Sequence, residues 1–187
     1  MIYLSLKSQF PNLPIFASIQ IDEYNKDARQ AEGLQYLMAS TDLIAISSYA
    51  FGHGYRPFSI PANYFTAVRA LAPSKPFAIA ETGWPAEPVR YPEPLPAGQT
   101  YAYDIYSNSM EQQIYLERIL QEATTNNAKF INWFVVRDYD LAWEKEKQFS
   151  PLAYLIRFWR DIGLLNGKGQ ARMSFTTWTK RLALPRQ

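Results

Sequence analysis

The chain contains no cysteine and a single histidine, His53. Without thiols it has no disulfides, no thiolate metal site and no thiol nucleophile. With one imidazole and no carboxylate cluster at ligand spacing beside it, the sequence shows no metal site, and nothing in it requires a cofactor. Charge of one sign is equally scarce. Nineteen Lys and Arg against 17 Asp and Glu leave a formal charge of +2, with no basic block. Charge therefore gives no footprint for nucleic acid or an anionic membrane. No apolar run approaches the ~20 residues needed to span a bilayer. The first residues, MIYLSLKSQF, lack the basic leader and long apolar stretch of a signal peptide. No internal repeat or low-complexity tail is present, and the absence of cysteine leaves the compartment open, because secreted bacterial enzymes often lack disulfides too.

What the chain does have is apolar and aromatic. Of 187 residues, 48% are hydrophobic, and 13 Tyr and 5 Trp recur near expected strand ends and in loops. A chain this long buries a real core and is most naturally one domain. Rings with a polar handle suit the C–H faces of sugars, and they equally serve plain cores and interfaces.

Four short, nearly continuous apolar runs read as strands covered on both faces: residues 15–21 (IFASIQI), 43–49 (LIAISSY), 77–81 (FAIAE) and 130–136 (FINWFVV). Helical patterns separate them. Residues 28–39 carry Ala28, Ala31, Leu34, Leu37 and Met38 at helical spacing, and residues 61–71 open on a first-turn proline. Residues 108–125 begin with Asn108 and Glu111, spaced as a capping box. Residues 151–162 follow Ser150 as a cap and stop at Gly163. Alternating β and α units of this size predict an α/β fold with a parallel sheet. The longest loop, residues 84–107, is stiffened by Pro85, Pro88, Pro92, Pro94 and Pro96. The tail, residues 166–187, is expected to cover the bottom or side of the sheet.

The segment PFAIAETGWP, residues 76–85, carries the chemistry. A buried strand stops at the carboxylate of Glu81 and then turns through Gly, Trp and Pro. A charge at the tip of an apolar strand is costly unless paired or used. This segment resembles the seventh strand of the (β/α)8 glycoside hydrolases of clan A, among them family 53 β-1,4-galactanases and family 17 β-1,3-glucanases. DLIAISSYAF is similar to their sixth strand, FINWFVVRD to the eighth, and WRDIGLLNGKGQ to the segment that closes these barrels. A complete barrel takes about 250 residues. The resemblance therefore implies one partial (β/α)8 domain over residues 1–187, the C-terminal half with strands five to eight, and a fragment of a longer chain.

On this resemblance Glu81 is the nucleophile of a retaining glycosidase acting on a β-linked polysaccharide; the plainer alternative is a strand-end Glu that caps a helix or pairs with an Arg. Tyr49, one unit earlier, either orients that carboxylate by a hydrogen bond or simply packs. Trp84, Trp133 and Trp143 are candidate sugar platforms, with a core role equally open to Trp133. His53, in the FGHGY loop, reads as a surface or subsite residue. For Gln20 and Asp22 a solvated strand end is the preferred reading, and for Arg137, Asp138 and Asp140 an Arg–Asp pair at the rim.

The second carboxylate is missing. A retaining mechanism places an acid/base about 5 Å from the nucleophile. The family carries it on strand four as an Asn-Glu pair, and no Asn-Glu occurs in this chain. Glu23, Glu87 and Glu93 are weak substitutes. The expected partners are thus a carbohydrate and either the missing N-terminal half-barrel or a second copy meeting exposed sheet edges. A secreted or periplasmic parent is compatible with this reading, and the isolated chain is expected to be inactive. Two other readings stand beside it: a non-catalytic carbohydrate-binding or scaffold protein derived from the same barrel, and a smaller doubly wound α/β protein.

Overall fold

The computed structural model describes residues 2–27, 29–90, 104–147 and 153–184. They fall into two compact units. The first holds residues 1–49, 60–82 and 120–132; the second holds residues 50–59, 83–119 and 133–187.

The first unit is built on a four-stranded sheet. Its strands are β1 (Ser18–Gln20), β2 (Ile44–Ser48), β3 (Phe77–Thr82) and, after β4 (Val89–Arg90) and β5 (Asp104–Ile105) of the second unit, β6 (Ile131–Trp133), in the order β1-β2-β3-β6. β1 runs parallel to β2, and β2 to β3. Lys129 N–H donates to Phe77 O at 2.8 Å and Ile79 N–H to Phe130 O at 3.0 Å, which brings β6 to the free side of β3. Each strand lies next to its predecessor in the sheet, so the order never reverses. A doubly wound sheet reverses at its switch point, whereas a barrel sheet does not.

All four predicted strands are present, shorter than their apolar runs. β1 keeps three residues of its run because the chain enters helix α2 (Ile21–Lys26) at once. Ile44, Ile46, Phe77 and Ile79 are fully buried. On the other face Leu43, Ala45 and Ala78 form a small-residue cluster with Ala80 and Phe130 against it. Strand alternation separates these two sets.

Several differences from the sequence expectations concern helices. An unpredicted helix α1 (Ile2–Gln9) precedes β1 and is tied down at Asp42, which accepts from Tyr3 Oη at 2.8 Å and Lys7 Nζ at 3.1 Å. The helix expected over 28–39 is α3 (Arg29–Met38). The one expected over 61–71 is a run of turns ending in a 3₁₀ segment, Ala67–Leu71, whose bonds include Arg69 N–H to Thr66 O at 2.9 Å. No described helix is long and apolar enough to cross a membrane.

The second unit holds the β4–β5 hairpin, most of α4 (Ser109–Thr125), and α5 (Asp140–Glu146), α6 (Ala153–Trp159) and α7 (Met173–Leu182), the first and last of these three unpredicted. Asn108 caps α4 as expected: its Oδ1 accepts from Met110 and Glu111 N–H at 2.9 and 3.0 Å. Glu111 does not complete a reciprocal box; its carboxylate pairs with Arg56. The expected cap Ser150, together with Pro92, Glu93, Pro94 and Pro96, lies outside the described residues.

Gly163 differs from the expected helix stop in its reason for being glycine. Its backbone is not left-handed. A Cβ there would meet Asp138 N at 2.4 Å and Leu165 O at 2.6 Å, so close approach of two chains demands the glycine. Residues 160–166 pack along the segment that follows β6. Tyr139 and Asp138 N–H donate to Arg160 O and Leu165 O at 2.9 and 3.0 Å, and Leu164 and Leu165 N–H donate to Val135 O and Val136 O at 3.1 and 2.8 Å.

Candidate active site

Glu81 sits one residue from the end of β3, half-buried, at the carboxyl end of a parallel strand. Its orientation comes from a bulge. Ala45 pairs with Ala78 and Ile46 with Ile79, but Ser47 then pairs with Glu81, so Ala80 is an extra residue. Uninterrupted alternation would put Glu81 on the Phe77–Ile79 face. With Ala80 inserted, Glu81 stands abreast of Ser47, on the face of Leu43, Ala45 and Ala78. Thr82 turns to the other face, where its hydroxyl donates to Ser48 O at 3.2 Å. Bulges recur where a functional side chain must be re-aimed.

Tyr49 follows β2 on the same face as Ser47 and is 6% exposed. Its hydroxyl donates to Glu81 Oε1. Two of the sequence-predicted site residues are therefore in direct contact. A carboxylate that accepts a hydroxyl on one oxygen has its orientation set and its second oxygen left for other work.

The expectation of a solvated strand end at Asp22 is overturned. Asp22 is 1% exposed. Its Oδ1 accepts from Ser48 Oγ at 2.9 Å and Tyr64 Oη at 2.6 Å. Its Oδ2 accepts from Tyr49 N–H at 2.6 Å and Gln20 Nε2 at 2.8 Å. Among the described residues no Lys, Arg or His pairs with it. Four neutral donors replace the lost water, which is what a buried carboxylate requires.

The overall course of the chain has counterparts among solved structures. It is similar to the glycoside hydrolase family 17 β-1,3-glucanosyltransferase of Rhizomucor miehei, with a TM-score of 0.58, 13% identity, and coverage of 92% of this chain and 54% of that one. An active-site mutant of that protein in complex with laminaritriose aligns at a TM-score of 0.56, with the same 13% identity and the same 92% and 54% coverage. The β-D-glucuronidase of Dictyoglomus thermophilum aligns at 0.62 and 13% identity, over 98% of this chain and 28% of that one. The chain has a glycoside hydrolase-like fold. It spans about half the length of the glucanosyltransferase and a little over a quarter of the glucuronidase. Compared by sequence, it matches no protein-family model and has no significant match among curated proteins.

In a glycoside hydrolase-like fold the remaining expected site residues divide by burial. Trp84 is 0% exposed; its ring packs against Phe51 and Tyr115, and its Nε1 donates to Ser107 Oγ at 2.9 Å. Trp133 is buried too, with Nε1 donating to Ile162 O at 2.9 Å. Both indoles are core residues of the second unit, so the platform expected of them has no open ring face; for Trp133 this is the alternative left open above. Trp143, on α5, and His53, in the 3₁₀ turn Ala50–His53, are half-buried.

Asp138 does not pair with Arg137. Arg172 donates to its Oδ2 at 2.5 Å and Gly163 N–H to its Oδ1 at 2.8 Å, while Arg137 donates to Gly167 O. The fold gathers Glu87, Asp138 and Asp161 so that ligand oxygens lie within 4.8 Å of one another, a cluster that sequence spacing hides. Three arginines already occupy it. Arg172 also reaches Glu87 at 2.9 Å, and Arg157 and Arg160 hold Asp161 at 2.8 and 2.7 Å. It is an ionic network, buried at Asp138 and Asp161 and exposed at Glu87, which places Glu87 in structural company. Burial pushes the Asp138 carboxyl up to about 6, against the pull of Arg172 and Gly163 N–H.

A cavity of about 530 Å³ in the first unit is lined by Pro14, Phe16, Leu43, Pro76 and Phe130 among others. These residues precede the strands. Glu81 stands at the opposite, carboxyl end of its strand.

Proposed function

We propose that this chain is the C-terminal half, strands five to eight, of a (β/α)8 glycoside hydrolase that cleaves a β-linked polysaccharide with retention. Glu81 is its nucleophile and Tyr49 the donor that orients it. The observation that carries the reading is the Tyr49–Glu81 hydrogen bond at the carboxyl ends of neighbouring parallel strands, on the small-residue face of the sheet. In the reaction the free oxygen of Glu81 attacks the anomeric carbon through an oxocarbenium-like transition state, and a glycosyl–enzyme ester forms as the glycosidic C–O bond breaks. The Tyr49 hydroxyl stabilises the carboxylate before attack and again as the ester is hydrolysed.

The acid/base that protonates the leaving group lies outside these 187 residues, in four further βα units of a longer protein. The order β1-β2-β3-β6 supports this. Its outer strands, β1 and β6, offer the edges that strands four and one of a closed barrel would pair. Removed from those strands, the chain associates through the same edges and turns over natural glycosides poorly, since leaving-group protonation is absent.

Activated substrates test the nucleophile alone, because fluoride leaves with little need for a general acid. The chain is incubated with 2-deoxy-2-fluoro-β-glycosyl fluorides of the gluco, galacto and glucurono series, and the peptide containing Glu81 is mapped by mass spectrometry. The expected result is a glycosyl adduct on Glu81 that is absent in Glu81→Gln. Sugar binding with no adduct transfers the case to a non-catalytic binding protein, a reading to which the buried faces of Trp84 and Trp133 lend no support.

A further inference from the structure

We infer that Asp22 is a positioning residue for Glu81, acting through the backbone of Tyr49; the role assigned to Glu81 rests on the proposal above, but the contact chain does not. Asp22 touches neither a substrate position nor Glu81. It grips the peptide N–H of Tyr49 at 2.6 Å, and the hydroxyl at the far end of that same residue donates to Glu81.

A tyrosine side chain has two principal torsions that sit in discrete wells, so within one rotamer the place of its hydroxyl follows the place of its backbone. Tyr49 lies just past the last paired residue of β2, where the ladder no longer holds it: Ser48 pairs with Thr82, and no register continues beyond. The Asp22 carboxylate anchors its N–H there. It is itself over-determined by Ser48, Tyr64 and Gln20, which tie it to β2, to the turn after residue 60 and to β1. A carboxylate is the one side chain able to accept four such bonds with two oxygens. A neutral Asn in its place loses acceptor capacity and turns an NH₂ toward groups that are themselves donors. A carboxyl group kept in a dry site without a cation is an expensive device for holding a turn. The expense is matched to geometry that tolerates little drift, since a misplacement of about 1 Å at reacting groups costs on the order of a hundredfold in rate.

The test reads the contact chain itself and needs neither sugar nor turnover. In the ¹³C,¹⁵N-labelled wild-type chain, a scalar coupling across the hydrogen bond between Tyr49 ¹⁵N and Asp22 ¹³Cγ is expected, as is a slowly exchanging Tyr49 hydroxyl proton that disappears in Tyr49→Phe and in Glu81→Gln. In Asp22→Asn with the fold retained, that proton is expected to exchange at least about tenfold faster or to vanish. In Tyr64→Phe and Ser48→Ala, which take donors from the same carboxylate but leave the Tyr49 N–H bond, it persists. If Asp22→Asn does not fold, the wild-type coupling and the Tyr64→Phe and Ser48→Ala spectra still decide. Absence of the coupling where those of the β2–β3 ladder are seen, or a Tyr49 hydroxyl unmoved by Asp22→Asn, overturns the inference. So does loss of that hydroxyl signal in all three variants alike, since that is the signature of a general scaffold. Failure of Glu81 to take a glycosyl label would overturn the enzymatic reading and leave these spectra as they are.

Discussion

The Asp138 carboxyl gives a pH dependence whose sign is unusual for an acidic residue. In the folded chain it holds its proton up to about pH 6; in the unfolded chain it releases it near 3.8. Burial is the cause, and Arg172 and Gly163 N–H only moderate it. Between those two values the folded state binds the extra proton, so stability falls as pH rises through the window. Holding a proton over that interval is worth ~3 kcal/mol, fully present below pH 3.8 and gone above pH 6. Arg172 stays charged throughout, because Asp138 and Glu87 hold its pKa above the usual value against its own burial. The perturbation is Asp138→Asn, which keeps the shape and removes the titration. Denaturant unfolding followed by tryptophan fluorescence, from pH 4 to 7 on both proteins, isolates this one group in the difference, since ordinary carboxylates cancel. The wild-type advantage over the variant is expected to shrink by ~2.5 kcal/mol between pH 4 and 7. A difference that stays flat, or grows with pH, refutes the reasoning and means that the Arg172 pairing outweighs burial.

Other outcomes follow from single contacts. Tyr49→Phe removes the hydroxyl from Glu81 and should slow glycosyl labelling by roughly ten- to a hundredfold; the rate of adduct formation with excess fluoroglycoside reads this directly. Gly163→Ala drives a methyl to 2.4 Å from Asp138 N and should cost on the order of 2–3 kcal/mol in urea unfolding. Gln112, which is fully buried, donates to Trp84 O at 2.9 Å and Gly163 O at 3.1 Å while accepting from Ser174. Gln112→Leu strands those three groups, so unfolding experiments should show a loss of about 2–4 kcal/mol. Asp42 is held down to about 2, chiefly by Ile15 N–H and then by Tyr3 and Lys7. Its contribution is present above pH 3.8 and lost as pH falls through 2, which a ¹³C titration of its carboxyl in the folded chain would show.

Much of the sheet was legible from sequence because parallel strands buried on both faces read as continuous apolar runs. FAIAE and LIAISS kept that signal with little noise, whereas in FINW Asn132 is exposed. The helices were harder where their partners lie far off in sequence. α1 buries no residue and is tied by Asp42 and Leu13 O, so its own pattern carried nothing to find. Residues 61–71 had helical spacing, but the chain closes there through turn bonds such as Tyr64 N–H to Pro61 O at 3.2 Å. Of the site, Glu81 and Tyr49 showed themselves as polar groups at the tips of apolar strands. Asp22, two residues past Gln20 at the end of β1, sends the same signal, which reads as readily as a solvated strand end. Its partners are two hydroxyls and two amides, which leave no charge pattern in a sequence. Trp84 and Trp133 illustrate the reverse error, in which aromatic rings near strand ends suggest an open cleft and burial makes them core.

The bulge at Ala80 has a consequence for how this site can change. Side chains on a strand obey parity, so Glu81 faces its present side because the bulge leaves Ala80 out of the ladder and lets the carboxylate follow Ile79 in register. Deleting Ala80 would close the bulge and keep the carboxylate abreast of Ser47 on the same face, whereas a slip that takes Ala80 into the ladder would send it to the other side. The chemistry of the strand tip is written in a residue type, and its aim in a register.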